Sequence, residues 1–140
     1  MIQIKVTQQP NLKRNFTFSR KFMKKVGDAL EVRIVGRTKS GLDVKNKRFK
    51  RYSEGYAKRK GVQRNQVNLT LHRDMLDSIK VKSRKNIAII KSTDKKGIWH
   101  QYGAGRLPIR GWFGIGPKFE RILKVLIGRE FRRLNKKKVI

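Results

Sequence analysis

Few side chains in this sequence are suited to catalysis. Its 140 residues include nine carboxylates, two histidines and no cysteine, so disulfides, thiol catalysis and cysteine-ligated zinc are excluded. His100 follows Trp99 and lies close to Tyr102, a setting in which a general base can operate. Since no nucleophile or cluster of metal ligands accompanies it in the sequence, we expect a structural histidine with one ring nitrogen bonded to the backbone.

Two short patterns resemble motifs of nucleotide-using enzymes, and both are incomplete. The run HRD at 72–74 matches the catalytic triplet of protein kinases, but the asparagine expected after it and the glycine-rich phosphate loop are missing. The run GAG at 103–105 lacks the third glycine of a dinucleotide-binding loop, and Pro108 is incompatible with the helix that such a loop requires. We therefore expect a protein without catalytic activity, cofactor or metal. A nuclease would need Glu54, Asp74 and Asp77 to converge on a metal ion.

The most distinctive segment is the aromatic-glycine tract at 99–115, which holds both tryptophans and several glycines. Because a glycine destabilises a helix by roughly 1 kcal/mol relative to alanine and a proline by about 3 kcal/mol, we predict a partly buried loop here. Aromatic side chains and arginines are enriched at protein interfaces, although core packing explains the tryptophans equally well. The predicted subunit or partner contacts are Trp99, His100, Tyr102, Arg106, Arg110, Trp112 and Phe113.

The charge of the chain predicts an acidic partner. Thirty-eight lysines and arginines give a formal net charge of +29, and such a charge favours nucleic acid or acidic protein surfaces. A basic nucleic-acid-binding protein of ribosomal type is one interpretation, in which Tyr52 and Tyr56 stack on bases. The predicted contacts of the basic loop are Lys45, Lys47, Arg48, Lys50 and Arg51.

The N-terminal half contains three predicted elements. Alternation of apolar and polar residues from Ile2 to Val6 predicts a short edge strand. A helical period predicts a long amphipathic helix from Ser19 to about Arg37, although residues 30–35 also alternate and fit a strand. A polar loop follows, and then a short helix over 53–60.

The C-terminal half contains a predicted hairpin between helices. Apolar spacing predicts a helix over 71–79 with Thr70 as its N-cap. Val81 and residues 86–92 are typical of two antiparallel strands. From Pro117 onward the apolar residues keep a clear period of 3.6, which predicts a C-terminal helix.

These elements together predict an α+β fold. We expect a small antiparallel β-sheet packed against the long N-terminal helix and the C-terminal helix, with long extended loops, in a single domain over 1–140. The core is expected within about 19–134, while loop 38–52 and tail 135–140 are expected to be mobile or to become ordered on assembly. The sequence shows no signal peptide and no apolar run near the ~20 residues that cross a bilayer.

Several motifs, in their order along the chain, resemble one family. They are GLDV at 41–44, YSEGYA at 52–57, VNLTLHRDMLDSI at 67–79, HQYG at 100–103 and LPIRGWFGI at 107–115. In this order, over about residues 19–134, they resemble the phage virion morphogenesis or tail-completion proteins.

The resemblance implies a structural virion protein without catalytic activity. Such a protein lies at the neck or the head-proximal end of the tail, in tail completion, tail termination or head-tail joining, as a homo-oligomeric, hexameric ring that assembles in the host cytoplasm. The implied partners are the portal or connector and the tail-tube or terminator proteins. Packaged DNA is a further candidate contact of the basic charge, and no contact to a membrane is implied.

Overall fold

A computed structural model describes residues 1–5, 16–70 and 73–137 of the chain. Its architecture is α+β, as predicted: a three-stranded antiparallel sheet packs against helices. In chain order the elements are β1 (Ile2–Lys5), α1 (Arg20–Lys39), α2 (Glu54–Lys60), α3 (Asp74–Asp77), β2 (Ile79–Arg84), β3 (Ile87–Ser92), α4 (Lys95–Tyr102) and α5 (Pro117–Lys137).

The central strand of the sheet is β3. Strand β1 pairs with it through Ile4 opposite Ala88, and β2 pairs with it through Val81 opposite Ile90. The predicted edge strand and hairpin are both confirmed, although Val6 lies outside the described residues. Asn86, at the hairpin turn, accepts a hydrogen bond from the Phe18 backbone amide at 2.6 Å and donates its own amide to the Phe18 carbonyl at 3.1 Å. The turn thereby holds the chain just before α1.

Helix α1 covers the sheet. Ser19 caps it by accepting a hydrogen bond from the amide of Phe22, and such a cap satisfies a backbone donor that the helix leaves free. Leu30 and Ile34 are fully buried whereas Val32 is 72% exposed. Burial thus follows a period of 3.6 rather than 2, and residues 30–35 are helical.

The C-terminal helix α5 is confirmed, and it buries its apolar face only in part. Phe119 is buried in the core, and Leu123, Leu126, Ile127 and Leu134 pack partly buried against it. Ile122 and Val125 lie on another face and are exposed. None of the described helices combines the length and apolar character that crossing a membrane requires.

The predicted helix over 71–79 is wrong in its extent. The structure has a single helical turn, α3, preceded by Arg73 with a φ of 60°, and Ile79 already belongs to β2. Thr70 is therefore not the N-cap of α3, and residues 71 and 72 lie outside the described part. Met75 and Ile79 are both buried. Their spacing fits a continuous helix and also fits a helical turn followed by a strand, so the apolar spacing alone does not distinguish the two structures.

The prediction of a loop throughout 99–115 is also wrong at its start. Helix α4 begins upstream, where Asp94 accepts a hydrogen bond from the Lys96 amide at 2.7 Å. Trp99 and Tyr102 lie in its last turns, and Gly103, with a φ of 81°, ends it. The glycines and the proline that argue against a helix come only after this point.

Candidate functional site

The connecting loop between α4 and α5, residues 103–116, is fixed to the rest of the fold by backbone hydrogen bonds. The Arg110 amide donates to the carbonyl of His100 at 2.7 Å, and the Val44 amide donates to the carbonyl of Gly111 at 2.8 Å. The side-chain oxygen of Gln101 accepts from the Phe113 amide at 3.0 Å. The connecting loop therefore presents its side chains from a defined backbone.

Trp112 anchors this loop in the core and does not face a partner. Its side chain is 1% exposed, and its indole Nε1 donates to the carbonyl of Gly97 at 2.8 Å. A Cβ on Gly97 would lie 2.8 Å from the Trp112 ring, so α4 and the indole are in close contact. The prediction of a partner contact is corrected for Trp112, because burial leaves it no free surface. Phe113 is half-buried with its ring 5.1 Å from that of Trp112.

Arg110 is an internal brace rather than a surface contact. It is 4% exposed, and its Nε donates to the carbonyl of Lys50 at 3.1 Å. Its guanidinium also lies 5.2 Å from the ring centroid of Tyr52. Burial lowers the pKa of Arg110. The expectation that Arg110 faces a partner is thus corrected: the side chain ties the connecting loop to loop 38–52.

Tyr52 is enclosed by cations. Lys60 Nζ lies 4.8 Å from its ring centroid and donates to its hydroxyl at 3.0 Å, while Arg110 covers the ring as well. With the residue 4% exposed, Tyr52 has no open face on which a base could stack. Tyr56 is half-buried, and its ring centroid lies 4.8 Å from that of Tyr52.

The sequence reasoning missed Arg37, which braces the connecting loop from α1. Its Nη2 donates to the carbonyl of Trp112 at 2.8 Å and to that of Gly114 at 3.1 Å. Burial, and then the charge of Arg33, lowers the pKa of Arg37 to about 10. Its burial was predictable from helical spacing, because Arg37 comes three residues after Ile34 and seven after Leu30 and therefore lies on the buried face of α1.

His100 differs from the expectation for its ring. Its Nδ1 is buried and has no hydrogen-bond partner within the described ranges, whereas the sequence predicts a ring nitrogen bonded to the backbone. Burial, followed by the charges of Arg110 and Lys60, lowers the pKa of His100. The imidazole is therefore neutral at pH 7. In the described parts of the chain, no three His, Asp or Glu side chains are placed to hold a metal ion.

Exposed apolar side chains are concentrated on α4 and the connecting loop. Nine large apolar residues are exposed in the part of the chain that the structure describes, and five of them form what we call the apolar strip. Trp99 is 47% and Tyr102 is 73% exposed, and both were predicted contact residues. The members of the apolar strip are Ile98, Trp99, Tyr102, Leu107 and Ile109.

Beside the apolar strip, α2, α3, α4 and the connecting loop enclose a cleft of about 970 Å³, which we call the basic cleft. Its apolar lining includes Tyr56, Leu69, Met75, Trp99 and Leu107. Asp74 is the single carboxylate among its described lining residues. The cations that line it are Arg51, Arg59, Lys60, Arg64, Arg73, Lys96, Arg106 and Arg110. Of the predicted contacts, the cleft brings together Trp99, His100, Arg106, Arg110 and Arg51.

The five predicted basic-loop residues are all exposed, and one of them, Arg51, lines the basic cleft. Their loop is shaped by Asp43, whose carboxylate accepts a hydrogen bond from the Lys47 amide at 2.8 Å, and by Asn46 with a φ of 62°. The mobility of loop 38–52 stays a prediction. The exposed set is Lys45, Lys47, Arg48, Lys50 and Arg51.

The chain was compared with protein-family models, with curated proteins and with solved structures, and none of them matches it.

Proposed function

We propose that this protein is a non-enzymatic structural component of a tailed phage, at the neck or the head-proximal end of the tail, and that it acts as a homo-oligomeric ring, hexameric in the simplest case. The observation that carries the proposal is the apolar strip on α4 and the connecting loop. Extended exposed apolar patches are rare on monomeric proteins and are typical of interaction sites. Its aromatic members, Trp99 and Tyr102, are of the types enriched in binding hot spots.

The backbone beneath the apolar strip favours docking over catalysis. Hydrogen bonds from Arg37 and Arg110 to loop carbonyls hold the connecting loop in place before any partner arrives. A prearranged surface loses less conformational freedom on binding, so more of its contact energy appears as affinity. The residues with perturbed pKa values thus have a structural explanation that requires no reaction.

The motifs that resemble the phage family meet in one substructure. The segment at 41–44 bonds to the one at 107–115 through the Val44 amide, and the segment at 100–103 bonds to it through the His100 carbonyl. The Lys50 carbonyl, next to the segment at 52–57, accepts from Arg110. These contacts bring four of the five motifs into one loop framework, which supports the proposed family relationship.

A ring needs two different patches, since in a heterologous interface one surface of each copy meets another surface of the next. The apolar strip supplies one. Ile122 and Val125, exposed one turn apart on α5, supply a second apolar surface. We propose that the apolar strip of one copy contacts α5 of the next, and that the basic face of the ring meets acidic portal, connector or tail-tube proteins in the virion.

The test compares ring formation by the wild type and by two variants, using sedimentation and negative-stain imaging, alone and with the candidate neck proteins. The double variant Trp99→Ser/Tyr102→Ser is expected to abolish rings and to keep the melting temperature. The control Val32→Ser removes an exposed apolar side chain on α1 and is expected to keep the rings. Rings that form equally well with the double variant, or a wild type that stays monomeric even beside neck proteins, would refute the proposal.

A nucleic-acid-binding protein of ribosomal type is the second candidate, and the eight cations around the basic cleft favour it. Contacts to phosphates make affinity fall steeply with salt. Binding to duplex DNA and structured RNA should therefore be measured at several salt concentrations. Tight binding that prefers nucleic acid over acidic proteins, by a monomer that forms no ring, would replace the first proposal with this one.

A further inference from the structure

The basic cleft combines two features that are usually separate. Its apolar lining includes Leu69 and Met75, which are buried, and Trp99 and Leu107, which are exposed, whereas other lining residues are arginines and lysines. At about 970 Å³ it lies at the upper end of the roughly 300–1,000 Å³ of typical ligand sites. The cleft is therefore large enough for a short segment of polypeptide, with apolar side chains inside and charges at the rim.

Most of the cations at the rim have no carboxylate to neutralise them. Within the described ranges, the cleft contains the ion pair of Lys96 with Asp74 at 3.4 Å, and Arg73 lies 3.9 Å from Asp77. The ion pairs of the described residues include none made by Arg59, Arg64 or Arg106. Like charges gathered around one cleft repel one another, and an anionic occupant relieves that repulsion.

The occupant cannot be an acidic segment of a second copy of this chain. Two runs of this chain have carboxylates on either side of two apolar residues, at 28–31 and 74–77. Both runs lie in helices, and Leu30, Met75 and Leu76 are buried in the core, so neither run is free to enter a neighbouring cleft. The anionic segment that fits the cleft must therefore come from a different molecule.

The lining favours a peptide over a nucleic acid. Successive bases bind single-strand sites by stacking on several aromatic faces. Tyr52 is buried and its ring is covered by Lys60 and Arg110, and Tyr56 packs against Tyr52 and Arg59. Trp99 is thus the one exposed aromatic ring among the described lining residues. Leu107, which is 42% exposed, offers an aliphatic contact that suits an apolar side chain. The apolar lining is also continuous with the apolar strip, because Trp99 and Leu107 belong to both.

We infer that the basic cleft binds an extended acidic segment of a partner protein, in which aspartates or glutamates flank one or two apolar side chains. The apolar side chains lie against Trp99 and Leu107, and the carboxylates pair with Arg59, Arg64 and Arg106. This inference rests on the proposed structural role and deepens it, because it specifies the chemistry by which an acidic neck or tail partner is recognised.

The test measures binding of the full chain to labelled probes by fluorescence anisotropy. The first probe is a short peptide in which glutamates flank a leucine and a phenylalanine, and the second has serines in place of those two apolar residues. The third is single-stranded oligothymidine. We expect the first peptide to bind about tenfold more tightly than the second, since burying two large apolar side chains adds affinity, and more tightly than the oligonucleotide.

Charge-reversal variants locate the site. The double variant Arg59→Glu/Arg106→Glu is expected to weaken binding of the first peptide by about tenfold or more, because two negative side chains at the rim then repel the glutamates of the peptide. The matched control Arg84→Glu/Lys85→Glu makes the same change of net charge at the β2–β3 turn, outside the cleft, and is expected to weaken binding by no more than about twofold. All four residues are exposed, so circular dichroism melts should match that of the wild type.

Three outcomes overturn the inference: no binding of the first peptide, equal losses in the two variants, or oligothymidine binding more tightly than the peptide with the same dependence on the cleft. The third outcome assigns the cleft to nucleic acid. Rings without peptide binding reject the cleft assignment alone. Peptide binding without rings leaves the cleft assignment in place and rejects the proposed ring.

Discussion

The two tryptophans provide a matched pair that tests how the connecting loop is held. Trp112→Phe removes the indole nitrogen, so the Gly97 carbonyl loses the donor that now lies at 2.8 Å, at a cost of about 1–3 kcal/mol for a buried group. The smaller ring also leaves a void beside Gly97, which adds about 1 kcal/mol. The expected loss of unfolding free energy is about 3 kcal/mol, or about 10 °C in melting temperature.

Trp99→Phe is the control, because Trp99 is 47% exposed and no hydrogen bond involves its indole nitrogen within the described ranges. It is expected to change the unfolding free energy by less than about 0.5 kcal/mol. Urea unfolding followed by far-ultraviolet circular dichroism measures both variants on the same scale. Equal losses in the two variants, or a loss below about 0.5 kcal/mol for Trp112→Phe, would refute the anchoring role of Trp112.

Three further predictions concern pH and packing. The folded pKa of His100 lies below the unfolded value of 6.5, so the unfolded chain binds the proton more readily. Stability is therefore full above pH 6.5 and falls as the pH drops below it. The melting temperature of His100→Gln should fall less between pH 7 and 5 than that of the wild type, and equal falls would contradict this prediction. Ser19→Ala removes the cap of α1 and should cost about 1 kcal/mol in urea unfolding, a value near zero arguing against the cap. Gly27→Ala places a Cβ 2.5 Å from Val81 and should cost about 1–3 kcal/mol, whereas an unchanged melting temperature would show that α1 can move off the sheet.

The regular elements with a strong local period were predictable from the sequence. In α1 the buried residues repeat at helical spacing from Phe22 to Ile34, and in β3 the residues that pack inward, Ala88 and Ile90, alternate with others. In α5 the apolar period is long enough to be unambiguous. These patterns need no knowledge of distant residues, because the same face of each element meets the core along its whole length.

The environment of the connecting loop was not predictable in the same way. Arg110 is flanked by exposed Ile109 and by a glycine, and nothing nearby indicates that the Lys50 carbonyl, 60 positions away, accepts its hydrogen bond. For the same reason the sequence alone does not decide whether Trp112 packs in the core or lies at an interface. Composition describes which side chains a loop offers, whereas burial depends on the elements that fold onto it.

The basic cleft also required the tertiary structure. Its cations come from α2, α4 and three loops, and each of them, taken singly, is typical of a solvated surface. The prediction of an acidic partner followed from net charge alone. The proposal of an acidic segment with apolar residues rests on the apolar lining, which exists only because the fold brings Leu107 beside Trp99 in the cleft.

Arg37 and Arg110 hold the loops together by donating to neutral carbonyl oxygens, whereas the four ion pairs in the described ranges involve exposed or partly exposed side chains. Dissolved electrolyte screens repulsion among the surplus cations and leaves those internal bonds intact. Folding and docking should therefore respond to sodium chloride in opposite directions, the chain melting at a higher temperature while it releases its acidic partner. The chain should therefore stay well folded in concentrated brine and bind an acidic partner most tightly in a dilute medium.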